Sequence, residues 1–204
     1  MISLCFFCTA IAYLLGSINS AVIVSKIFGK GDIRSFGSGN AGATNTLRVL
    51  GKKAAVFVVI GDFLKGLAAV LAAKYAFVVF KIQGDPMTAQ YFAALGVIIG
   101  HIYPLYFGFK GGKGIMTSLA VLFVLDWEIA VILLVTFIII VAATKFVSLG
   151  SCISSGLFPI LVLMFHGNDK LFVALSFILC AMMLYNHREN IKRLANGCET
   201  PIHF

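Results

Sequence analysis

Residues 129–143 read Ile129-Ala130-Val131-Ile132-Leu133-Leu134-Val135-Thr136-Phe137-Ile138-Ile139-Ile140-Val141-Ala142-Ala143. The run is apolar all round, which excludes the apolar/polar alternation of a β-barrel strand. Working outward, the whole 204-residue chain is 60% hydrophobic and only 12% charged. A soluble domain carries about 25% charged residues and roughly half apolar ones, so this chain has too little polar surface to cover itself in water. In hydrocarbon the difficulty disappears, because a spanning helix takes about 20 apolar residues. The expected fold is all-α: a polytopic integral membrane helical bundle, with one domain over residues 1–204.

Apolar runs between polar breaks mark seven stretches, 3–26, 54–80, 88–107, 114–126, 128–146, 148–166 and 170–187. About seven transmembrane helices are therefore expected. The short 114–126 and the short breaks between the last three leave five spans with re-entrant pieces as the alternative. No basic n-region of a cleaved signal peptide precedes the first stretch, so it is expected to remain as a helix. Cys5 and Cys8 sit in that stretch as a C-x-x-C with no second pair and no nearby histidine. Packing is their expected use, and neither a metal nor a cofactor is expected.

Cytoplasmic loops of membrane proteins hold an excess of Lys and Arg. With seven spans, twelve of the sixteen basic residues fall on one face: Lys26, Lys30, Arg34, Arg48, Lys52, Lys53, Lys110, Lys113, Lys145, Arg188, Lys192 and Arg193. Lys74, Lys81 and Lys170 fall on the other, and Lys65 lies inside the second stretch. The N-terminus is thus expected outside and the C-terminus in the cytoplasm. A net charge of +8 suits anionic membrane lipids, and no feature points to nucleic acid.

Three segments on the basic face carry chemistry. The first, Gly31 to Arg48, is rich in small and hydroxyl residues that let backbone N–H groups approach an anion. Ser38, Asn40, Thr44 and Asn45 add side-chain donors, and Arg48 offers a bidentate fork for phosphate. The second, Gly108-Phe109-Lys110-Gly111-Gly112-Lys113-Gly114, fails as a nucleotide P-loop. Phe107 stands where glycine is needed and Gly114 where Ser or Thr is needed. It remains a glycine turn leading to a helix N-terminus beside Lys113, a general anion site. In the third, the tail from Asn186 to Glu199, a helix would set His187, Asn190 and Leu194 on one face. Elsewhere, Asp62 and Lys65 are spaced to form an ion pair, His101 and Pro104 read as a packed histidine and a helix kink, and Tyr91, Tyr103 and Tyr106 read as interfacial residues.

Together these segments closely resemble the bacterial acyl-phosphate:glycerol-3-phosphate acyltransferases, the PlsY family. The likeness rests on Gly16-Ser17-Ile18-Asn19-Ser20, Gly37 to Asn45 with Arg48, Gly111-Gly112-Lys113-Gly114, and His187 to Leu194 with Gly197 and Glu199. Asn19 and Ala41 stand where the family usually has proline. The resemblance implies transfer of a fatty acyl group from acyl phosphate to the 1-hydroxyl of glycerol 3-phosphate, giving lysophosphatidic acid and inorganic phosphate. It implies a seven-helix enzyme of the bacterial cell membrane with its site on the cytoplasmic side. By motif, Ser38 and Arg48 would bind and orient phosphate, Lys113 would hold a second phosphate, and His187 with Asn190 would position glycerol 3-phosphate. Asn40, Thr44, Asn45, Gly111 and Gly112 would complete the substrate-binding loops, and Glu199 would be structural, tying the tail to the basic loop. No covalent nucleophile is needed with an activated anhydride, and no G-x-S-x-G occurs. The alternatives are an anion or lipid-phosphate transporter, for which no internal repeat is visible, an acyl-CoA-dependent enzyme, for which no His-x4-Asp occurs, and a scaffold, which leaves the donor-rich loop unexplained.

The charge bias makes a direct prediction. In a chain with its native cysteines replaced, cysteines introduced at positions 83 and 168 should react with an impermeant label outside intact cells. Those at 40, 111 and 196 should not, and labelling at 40 would reverse the orientation.

Overall fold

The structure is a computed structural model describing residues 2–81 and 83–202. Its helices are α1 (Ile2–Gly16), α2 (Ser20–Ile27), α3 (Ala43–Val79), α4 (Pro86–Ile102), α5 (Ile115–Leu125), α6 (Trp127–Thr144), α7 (Val147–His166), α8 (Lys170–Asn186) and α9 (Arg188–Ala195). Single 3-10 turns lie at Ile33–Ser35 and Leu105–Phe107, and no strand occurs among the described residues. The all-helical expectation holds.

Each of the seven apolar stretches is largely helical. Four helical segments are long and apolar enough to cross a bilayer: Ser3–Ile27, Ala43–Val79, Trp127–Thr144 and Val147–His166. A fifth is added if α8 and α9, bent by 60° at their junction, form one broken span. By contrast, α5 has only 11 residues, about half of a 30 Å hydrocarbon core at roughly 1.5 Å per residue. Asp85, Asp126 and Asp169 cap α4, α6 and α8, each accepting from a backbone N–H of the first turn. Such caps satisfy donors that the helix itself leaves open.

Several boundaries move. Helix α3 begins at Ala43 rather than near residue 54, because a short amphipathic piece precedes the apolar run. The two join at Gly51, whose φ of 82° is a conformation that glycine adopts without a Cβ penalty. Helix α4 stops at Ile102, so Pro104 follows the helix instead of kinking it, as expected when a proline restricts the residue before it. Tyr91, expected at an interface, is buried, whereas Tyr103 and Tyr106 are exposed. Cys5 and Cys8 are buried and unbridged.

The chain falls into two compact units, residues 1–125 and 126–204. In the first, α1 packs on α4 and α3 packs on α4 and α5. Small residues make the α1–α4 approach close: a Cβ on Gly96 or Gly100 would collide with the carbonyls of Thr9 or Tyr13, and one on Gly16 with the backbone at Val97. Close backbone approach through small residues is the usual solution where lipid offers no hydrophobic drive between helices. In the second unit α7 packs on both α6 and α8. Large apolar side chains such as Phe57, Ile139 and Met164 stay exposed, as a lipid-facing surface requires.

The expected Asp62–Lys65 pair is present, with Nζ to Oδ1 at 2.9 Å and both side chains almost fully buried. Lys65 also donates to the Ile18 carbonyl at 2.8 Å, inside the break between α1 and α2. Introducing alanine at Gly100 and at Gly156 separates packing from helix propensity. Gly156 has nothing within 4 Å of its Cβ position, so Gly156→Ala should be neutral or stabilise by about 0.5–1 kcal/mol. Gly100→Ala should destabilise by about 1–3 kcal/mol, read as a lower Tm in detergent.

Candidate active site

In the first unit the loop after α2 is shaped from within. Asp32 accepts from the Arg34 backbone N–H at 3.0 Å and starts the 3-10 turn. The Arg34 guanidinium grips Asp32 through Nε and Nη2, at 2.9 and 2.6 Å. Its Nη1 donates to the carbonyls of Phe107 at 2.6 Å and Lys110 at 3.0 Å. One arginine therefore ties the first loop to the glycine turn. The hydrogen bonds from Arg34 hold the Asp32 carboxyl below its ordinary value, against the smaller opposing effect of burial.

Asn45 is buried and templates the loop. Its Oδ1 accepts from the Ser38 N–H at 2.8 Å, and its Nδ2 donates to the carbonyls of Phe36 at 3.0 Å and Ile33 at 3.3 Å. Both ends of this amide serve the backbone, so Asn45 shapes the loop where a substrate donor was expected. Ser38 is exposed on that loop, Asn40 and Thr44 are half-buried, and Arg48 is exposed on the first piece of α3. Thr46 N–H makes the first helical bond of α3, to Gly42, leaving the preceding N–H groups for a loop or ligand.

The glycine turn is bonded to the end of α4: Gly111 N–H donates to the Ile102 carbonyl at 3.0 Å and Gly112 N–H to the His101 carbonyl at 3.1 Å. A Cβ on Gly112 would strike both His101 Nε2 and the Ala41 carbonyl. Only glycine lets the turn and the first loop come this close. Lys113, half-buried, follows directly, and α5 starts at Ile115. The first unit thus gathers Ser38, Asn40, Thr44 and Arg48 with the start of α3, and Gly111, Gly112 and Lys113 with the start of α5. Two helix N-termini, with Lys113 just before one and Arg48 in the second turn after the other, favour anions.

In the second unit His187 sits at the bend between α8 and α9, not within a continuous helix, and is buried. Its Nδ1 lies 2.8 Å from the Met183 carbonyl. A carbonyl only accepts, so Nδ1 carries a proton and donates to it. Asn190 Nδ2 donates to Glu199 Oε1 at 2.7 Å, Ser148 Oγ to the same oxygen at 2.8 Å, and Arg193 Nε to Oε2 at 2.7 Å. Glu199 therefore ties the tail to the start of α7, where the basic loop had been expected as its partner. Burial opposes its ionisation, but the bonds from Asn190, Ser148 and Arg193 outweigh this and hold its carboxyl below the ordinary 4.5.

The family model described as glycerol-3-phosphate acyltransferase matches residues 6–197. This chain belongs to the glycerol-3-phosphate acyltransferase family. A glycerol-3-phosphate acyltransferase of Clostridioides difficile is 46% identical over 192 residues, covering 94% of this chain and 92% of the relative. One of Coxiella burnetii is 41% identical, covering 94% and 95%. The crystal structure of PlsY (YgiH), an integral membrane glycerol 3-phosphate acyltransferase in its glycerol 3-phosphate form, superposes with a TM-score of 0.86 at 37% identity, covering 98% of this chain and 96% of that one. Its lysophosphatidic acid form gives 0.81 at 36%.

Two parts of this acyltransferase escaped sequence reasoning. From sequence Arg34 reads only as a basic loop residue, although Asp32 two positions earlier hints at a locally held guanidinium. Ser148 carries no local signal. The Glu199 cluster predicts a pH effect. A carboxyl whose folded pKa is depressed contributes stability above its unfolded pKa and loses it as pH falls through the folded value. Glu199→Gln should therefore lower Tm in detergent clearly at pH 7. The gap to wild type should shrink steadily as pH drops below about 4.5, and a gap independent of pH would contradict the ionised reading.

Proposed function

We propose that this acyltransferase moves a fatty acyl group from acyl phosphate to the 1-hydroxyl of glycerol 3-phosphate, releasing lysophosphatidic acid and inorganic phosphate. It would do so as a seven-span protein of the bacterial cell membrane, with its N-terminus outside and its site on the cytoplasmic face. The observation that carries this reading is the pair of loops in the first unit, tied together by Arg34 and each leading into a helix N-terminus, with Arg48 in the second turn of α3 and Lys113 just before α5. Such an arrangement suits a reaction whose two substrates each bear a phosphate.

Acyl phosphate is a mixed anhydride, so its carbonyl is already activated. The glycerol 3-phosphate hydroxyl oxygen forms a bond to the acyl carbon, and the bond from that carbon to the phosphate oxygen breaks. The hydroxyl proton passes to the departing phosphate. Catalysis then consists of holding two anions in attack geometry, which is worth about 7–11 kcal/mol when alignment is good, and of stabilising the developing oxyanion. Ser38 and Arg48 hold one phosphate, with Asn40 and Thr44 lining the loop, and Lys113 with the Gly111–Gly112 backbone holds the other. His187 and Asn190 orient the glycerol end. Asn190 is braced for its part by Glu199.

Purified protein offered acyl phosphate, acyl-CoA or acyl carrier protein beside glycerol 3-phosphate should turn over acyl phosphate and release inorganic phosphate, with little activity on the others. Arg48→Lys keeps the charge but loses the planar fork, so kcat/KM should fall by about 100-fold, equivalent to about 2.7 kcal/mol. Turnover with acyl-CoA alone would refute the donor, and a fully active Arg48→Lys enzyme would remove the arginine from the site.

A further inference from the structure

His101 looks from sequence like a packed residue of α4, but its ring and its backbone both contact the neighbouring elements. It is buried within the first unit, 4% exposed. On one edge Nδ1 faces Thr117 Oγ1 at 3.3 Å and Asp62 Oδ1 at 3.6 Å. Thr117 Oγ1 lies 3.2 Å from the Asp62 carbonyl, to which it donates its single proton. The hydroxyl must therefore accept from His101, and the carboxylate beyond also only accepts. The ring proton is thus fixed on Nδ1, and Nε2 turns to the other edge, against Gly112. The backbone joins in, since the His101 carbonyl takes the Gly112 N–H.

The contacts bracket Lys113. Gly112, immediately before it, is bonded to the His101 backbone and packed on the ring. Thr117, four residues after it on α5, meets the other side of the same ring. Asp62 anchors the assembly, and Lys65 pairs with Asp62. An apolar residue would fill this space without the cost of burying a polar ring, which is large unless its hydrogen bonds are satisfied. The ring's polar edge instead joins α3 and α5, while its other edge meets the turn where the Ala41 carbonyl of the first loop also arrives.

We propose that His101 is a positioning residue for the acyl-transfer reaction: braced by Asp62 and Thr117, it fixes the Gly112 turn and with it the place of Lys113 against the 38–42 loop. This rests on the reading of Lys113 as a phosphate ligand. His101 touches no substrate in this account and acts only through the turn.

The test is a double-variant cycle on the full-length protein in detergent, with kcat, KM and glycerol 3-phosphate affinity by calorimetry, each form first checked by thermal unfolding. His101→Leu keeps the bulk but removes the ring nitrogens and should lower kcat/KM by about 100-fold, the loss expected for a misplacement of about 1 Å. His101→Asn, which can still donate to Thr117, should recover at least about tenfold of that loss. The decisive comparison is with Lys113→Ala. In that background His101→Leu should cost less than about threefold, because residues acting through one another do not add. A full second loss of about 100-fold there would show independent action and overturn the proposal, as would a folded His101→Leu enzyme with normal kcat/KM. If His101→Leu does not fold, His101→Asn and Thr117→Val decide: normal kcat/KM in both folded forms overturns it, and a selective loss that vanishes in the Lys113→Ala background upholds it. Wild type inactive on acyl phosphate would instead refute the reaction before any variant is made, and the same cycle read by calorimetry would still decide the role of His101.

Discussion

The first unit depends on an ion pair that hydrocarbon makes unforgiving. Asp62 and Lys65, one turn apart on α3, are almost fully buried. Removing one partner of such a pair costs about 3–5 kcal/mol, because the other is left charged and buried. The pair is therefore obligatory once either member exists, and its remaining hydrogen-bonding capacity organises its neighbours. Lys65 satisfies a carbonyl in the break between α1 and α2. The backbone carbonyl of Asp62 takes the Thr117 hydroxyl of α5, and its carboxylate faces His101 of α4. Helices α3, α4 and α5 and the break between α1 and α2 thus meet at one small polar cluster.

That cluster explains how loops without strands can form a definite surface. The glycine turn hangs from the last residues of α4 through two backbone bonds, and the first loop is moulded on Asn45 and clamped to the turn by Arg34. Rigid loops carrying basic residues at helix N-termini are what the proposed reaction needs. With an activated acyl donor, the remaining work is orientation and charge, and pre-organised donors do this best when they need not reorganise. The second unit follows the same rule by other means: Glu199 collects Asn190, Ser148 and Arg193 so that the bend at His187 is braced.

The parts legible in the sequence were those encoded locally. Fully apolar runs such as 129–143 announce helices in a bilayer without any tertiary information, and the Asp62/Lys65 spacing on a helix announces a pair. The order of glycine, hydroxyl and basic motifs was enough to place the chain in its family. Other features depend on partners distant in sequence. Asn45 reads as one donor among several until its amide is seen to be spent on residues 33–38. Arg34 reads as one positive charge among twelve until its bonds to Phe107 and Lys110 appear. The early end of α4 is hidden because hydropathy does not distinguish an apolar helix from an apolar turn, and His187 lies at a bend that periodicity smooths over, whereas the short 114–126 stretch reads as a short helix from the sequence already.

The central claim is that transfer occurs in one step between two held phosphates, without acyl attachment to the protein. It is tested most directly by rapid quench of purified enzyme with acyl-labelled acyl phosphate in the absence of glycerol 3-phosphate. The account predicts no burst of inorganic phosphate and no label on the denatured chain, with both products appearing together once glycerol 3-phosphate is added. A phosphate burst stoichiometric with enzyme, accompanied by covalently bound acyl label, would contradict it.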